Sequence, residues 1–152
     1  MITWLVGTAG LNLAQMAAEE HQNDANGAFF AEIASDIKQD YETLERLLAE
    51  ISADKSATKI ALAEVGSKMM GAKFTSGEDD ELNAFTTLET LSIGVEGKLC
   101  MWKALSSVVD SYPPLAHFDV EALIARAQSQ REKIETKRLE IAPLALVHTV
   151  AV

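Results

Sequence analysis

The chain has 152 residues, 48% hydrophobic and 24% charged with three prolines, which suits one folded domain over 1–152 and argues against disorder. A formal net charge of −10 excludes nucleic acid and anionic membrane as natural partners, because their phosphates would repel this surface. Cys100 is the single cysteine, so neither an internal disulfide nor a cysteine-based metal site can form, and a reducing compartment is the natural setting.

The opening MITWLVGTAG has no basic residue ahead of its short apolar run, so neither a secretory signal nor a membrane span is expected and the cytoplasm is the expected location. A first helix is expected over roughly Ile2 to His21, with Leu11, Ala14 and Ala18 on one side. Gly7 and Gly10 weaken its beginning. QNDANG, ending at Gly27, then supplies turn chemistry. From Ala28 to Ile51 the apolar residues Phe29, Phe30, Ile33, Ile37, Tyr41, Leu44, Leu48 and Ile51 recur at intervals of three, four and seven, which defines an amphipathic helix.

A short helix is expected over Ala57 to Met70, with Gly71 placed to end it. The long helix from Leu82 to Val109 is apolar around most of its circumference and must lie inside other elements. Pro113 and Pro114 end it. Asp119 is a strong N-cap, with Phe118 as a staple, for a last helix from Val120 to about Ile141, beyond which Pro143 and an apolar tail follow. The expected architecture is all-α: a ferritin-like four-helix bundle with a short helix in the long crossover between its second and third helices.

A ferritin-like di-iron site needs carboxylates from four helices and Glu-x-x-His on two of them, since residues i and i+3 share a helix face. His21, His117 and His148 are preceded three residues earlier by Ala18, Pro114 and Ala145, so the motif is missing. What the helices do carry is a row of Glu89, Glu96 and Lys103 on the third, and Arg131 and Arg138 on an apolar face of the fourth. Asp36 and Asp40 flank the stripe of the second. The expected role of Glu89, Glu96, Arg131 and Arg138 is an interior charge network, and no cofactor is expected. The alternative is a metal-dependent oxidase or metal store, holding iron or another divalent ion on Glu89, Glu96, Asp36 and Asp40.

LETLSIGVEGKLCMWKAL, EALIARAQSQREKIETKRLEIA and AEIASDIKQDYETLERLL resemble a family of uncharacterised bacterial proteins. Its recurring elements here are Glu89, Gly94 to Lys98, Trp102 and the arginine-containing last helix. The resemblance implies a ferritin-like bundle, no established activity and no metal ligands to carry over. The functional expectation is therefore a non-catalytic bundle in a structural, stress-associated or partner-binding role. Trp4, Leu5, Val6 and the apolar tail suggest homodimerisation.

Overall fold

A computed structural model describes residues 2–53 and 80–148, and of residues 2–9, 52, 53 and 148 the backbone alone. The described residues form four α-helices: α1 (Ile2–Glu20), α2 (Ala25–Ala53), α3 (Asp80–Ser106) and α4 (Val120–His148). No strand occurs among the described residues, and none of their helices is long and apolar enough to cross a membrane. The short helix expected over Ala57 to Met70 lies outside the described residues.

Local chemistry accounts for the starts of α2 and α4, and three helix boundaries differ from expectation. α2 begins three residues early because Asp24 caps it: Oδ1 accepts from the Asn26 N–H at 2.7 Å and the Gly27 N–H at 3.3 Å. Gly27 then packs directly on the end of α1. A Cβ there would lie 2.2 Å from the His21 carbonyl oxygen, so only glycine fits that crossing. α3 stops at Ser106, and two short 3₁₀ turns, Val109–Ser111 and Pro113–His117, carry the chain round to α4. At the start of α4 the Ala122 N–H donates to Asp119 Oδ1 at 2.9 Å, the cap expected there.

α4 does not end near Ile141 but runs through Pro143 to His148. A proline inside a helix frees the carbonyl four residues back, here that of Leu139. Leu139 and Pro143 both lie on the water-facing side, where solvent can take that carbonyl, while Ile141 and Ala145 are buried and anchor the helix on either side of the proline.

Ser106 meets Glu121, Glu96 meets Arg131 and Glu89 meets Arg138, so α3 and α4 are antiparallel. Lys133 meets Glu32 while Arg126 meets Gln39, which makes α2 and α4 antiparallel as well. α2 and α3 consequently point the same way, and the chain from Ala53 to Asp80 joins opposite ends of the bundle. α3 packs most extensively on α4, and α1 on α2 and then on α3. The α2–α4 contact is the sparsest of the four.

The interior divides in two. One apolar cluster gathers Ala14 and Ala17 of α1, Phe30, Ile33 and Ile37 of α2, Phe85, Leu88, Leu91 and Val95 of α3, and Ile134 and Ile141 of α4. The other holds Leu44 and Leu47, Leu99 and Trp102, Leu123 and Ala127, together with Leu115 of the second 3₁₀ turn. Between them lies a polar layer.

Candidate functional site

The spacing of core residues shows why that layer exists. Along α2 the inward positions are Phe30, Ile33, Ile37, Asp40, Leu44 and Leu47, alternating steps of three and four. Along α3 Leu88, Leu91, Val95, Lys98 and Trp102 keep the same rhythm, with Ala84, Phe85 and Leu99 buried beside them, and along α4 Val120, Leu123, Ala127, Gln130 and Ile134 do so. This is a heptad pattern, whose seam residues must face the neighbouring helices. Each of the three helices places one polar residue in its seam, and all three fall at the same level.

Asp40 is 4% exposed, Lys98 13% and Gln130 1%. They close a triangle of hydrogen bonds. Lys98 Nζ donates to Asp40 Oδ2 and to Gln130 Oε1, and Gln130 Nε2 donates to Asp40 Oδ2 at 3.0 Å. Arg126 of α4 approaches from the surface. Its Nη2 pairs with Asp40 Oδ1 as an ion contact rather than a well-directed hydrogen bond, and its Nη1 donates to Gln39 Oε1 at 3.2 Å. The Arg126 Nε is buried without a hydrogen-bond partner.

Desolvation dominates the electrostatics of Lys98. Burial pushes its ammonium below the ordinary lysine value. The charge and hydrogen bond of Asp40 push it back up, Arg126 lowers it further, and Asp36 raises it; the net shift is downward. The buried carboxylate thus faces two cations, and one of them is held charged against its solvation preference.

The polar layer continues outward along the sparse α2–α4 contact. Lys133 of α4 reaches Glu32 at 2.5 Å and Asp36 at 3.8 Å, and His117 Nδ1 lies 2.8 Å from Glu50 Oε2. An open groove runs beside this seam, lined by Gln39, Thr43, Arg46 and Ala49 of α2 and by Arg126. α2 thus turns an acidic flank to α4, and α4 answers with basic residues.

The pairing expected for the other charges is present, but its interior location is corrected. Glu96 pairs with Arg131 at 3.1 Å, and Glu89 with Arg138 at 3.5 Å. Glu96 and Arg131 are 51% and 44% exposed, and Glu89 is 50% exposed, so this network lies on the surface. The physical reason is rotation. Glu89, Glu96 and the 76% exposed Ile93 share the side of α3 turned away from its seam of Leu88, Leu91 and Val95. Arg138 is held by Glu135 on its own helix at 2.8 Å and lies 5.8 Å from the centre of the Phe85 ring.

The four carboxylates of the metal alternative are not brought together either. Asp40 sits in the interior with Lys98, Asp36 lies near Lys133, and Glu89 and Glu96 take arginines on another face. Among the described residues no group of three or more His, Cys, Asp or Glu side chains converges. His21 is buried with Nδ1 2.7 Å from Asp24 Oδ2 and its ring 5.5 Å from that of Phe30, which gives it a role in the α1–α2 turn.

Among the described residues the geometry therefore defines an all-α arrangement of four helices whose interior is divided by one ionic layer. Compared with protein-family models, curated proteins and solved structures, the chain matches none.

Proposed function

We propose that this chain is a non-catalytic, ferritin-like helical bundle of the cytoplasm, in a structural, stress-associated or partner-binding role, whose first partner is a second copy of itself. The ferritin-like reading is supported by the co-directional α2 and α3 and the long chain segment joining their opposite ends. The observation that carries the binding role is the outward face of the last turns of α4. Leu139, Leu146 and Val147 are 57%, 50% and 67% exposed, and with Pro143 they form a stripe opposite the buried Ile141 and Ala145. Contiguous apolar surface of this kind gains about 25 cal/mol for each Å² removed from water.

Charge favours a second copy as the occupant. α4 carries five basic residues (Arg126, Arg131, Lys133, Lys137, Arg138) against four acidic (Glu121, Glu132, Glu135, Glu140), whereas α1, α2 and α3 each carry an acidic excess. Two chains of net charge −10 meet with least repulsion across α4, and a two-fold axis there lays the stripe on itself. Size-exclusion chromatography with light scattering tests this. A dimer mass at micromolar concentration, reduced to a monomer by Leu146→Asp with the helical circular-dichroism signal retained, is the expected result. A strict monomer at every concentration overturns it.

A further inference from the structure

Two helical hairpins compose the bundle, α1–α2 and α3–α4, and they are joined along two very different edges. On one edge α1 packs on α3, where the fully or nearly fully buried Ala14, Ala17, Ala84 and Leu88 belong to one apolar cluster. On the other edge α2 and α4 scarcely pack. Both helices contribute to the two apolar clusters, but the side-chain pairs that join them directly are polar: Lys133 to Glu32 and Asp36, Arg126 to Asp40 and Gln39, and Gln130 to Asp40, with His117 of the second 3₁₀ turn reaching Glu50. Lys98 of α3 reaches through the interior to bind both sides of that edge at Asp40 and Gln130.

We propose that the bundle opens like a book, with the α1–α3 contact as its spine and the α2–α4 seam as its free edge, latched by Asp40, Lys98, Gln130 and Arg126. Apolar packing is insensitive to the state of individual charges, whereas an ionic seam loses its cohesion when one member is removed and the remaining charges are left unbalanced. Exposed members of the seam are also screened by salt, and the buried latch much less so. Opening uncovers Leu44 and Leu47 of α2 and Leu123 and Ala127 of α4. The groove beside Arg126, open to solvent, is where water first reaches the latch.

Pulsed electron–electron distance measurements on the full chain test the hinge. Cys100→Ser gives a label-free background, since Cys100 is the single cysteine. One nitroxide pair spans the seam at Ala49→Cys and Ala122→Cys, and a second spans the spine at Met16→Cys and Ile93→Cys; all four positions are exposed. Arg126→Gln removes the surface half of the latch and leaves Lys98 to balance Asp40, so the fold is retained. In that variant the seam distances lengthen and broaden, further in molar salt, while the spine distances stay as in the parent. Replacing the interior latch together, Asp40→Leu with Lys98→Met and Gln130→Leu, returns the seam to a single narrow distance. A seam distribution unchanged by Arg126→Gln in either salt condition overturns the hinge, and so does equal broadening of seam and spine.

Discussion

Two sets of charges on the same helices behave oppositely. Asp40, Lys98 and Gln130 occupy seam positions, lie almost wholly out of water and hold three helices at one level. Glu89, Glu96, Arg131 and Arg138 bridge only α3 and α4, the first three from half-exposed positions and Arg138 from one 27% exposed. Both sets are ion pairs on paper. Their difference is the solvent around them: an exposed pair exchanges hydration for a contact of similar strength, whereas a buried one has no hydration to fall back on.

The sharpest way to break the comparison is to remove one member of the interior set. Asp40→Ala leaves Lys98 buried beside Arg126 with no carboxylate between them, and unfolding in urea should show a loss of about 3–5 kcal/mol. Replacing the interior set as a whole, Asp40→Leu with Lys98→Met and Gln130→Leu, has the opposite sign: stability holds or rises by about 1–4 kcal/mol, because the buried ammonium and carboxylate leave together and Arg126, 32% exposed, can turn its charge to solvent. A loss as large as that of Asp40→Ala would mean the layer contributes net stability as well as specificity.

pH separates the two sets more gently. Lys98 has its folded-state pKa lowered, chiefly by desolvation. In the window between that lowered value and the ordinary lysine value, the unfolded chain binds more protons than the folded one, so stability rises with pH there. Below the lowered value Lys98 is charged in both states and its desolvation weighs fully against the fold. Nuclear magnetic resonance of the lysine side chains should show one resonance titrating earlier than the others, and Lys98→Met should remove it. Smallest of all is Glu96→Ala, which should change stability by less than about 0.5 kcal/mol. A cost of several kcal/mol would return Glu96 to the interior.

The helices were legible in the sequence because their signals are local: an Asp119 cap and the stripe of α2 each rest on neighbouring residues, whereas α3 stops at Ser106, short of Pro113 and Pro114. The start of α2 was less legible, since Asp24 and Gly27 act through a backbone crossing with His21 that no single helix announces. The charge sites were misjudged for a related reason. Following Glu89, Glu96 and Lys103 as a row of sevens finds a helix face but not which way it points. The steps of three and four through Leu88, Leu91, Val95, Lys98 and Trp102 do point inward, and the same rhythm in α2 and α4 picks out Asp40 and Gln130. Their meeting at one level depends on how three helices are staggered, which is a property of the assembled bundle.

The interior layer also bears on how such a sequence could arise. Asp40, Lys98 and Gln130 are mutually dependent, so each is harmful in a background that lacks the others. A lone buried charge costs several kcal/mol, a large share of the roughly 5–15 kcal/mol that holds a domain folded. Glutamine, polar but uncharged, is the mildest of the three to introduce alone. Gln130 alone is therefore the least costly of the three, whereas Asp40 and Lys98 each depend on the other, so substitutions at position 40 should be made jointly with substitutions at position 98.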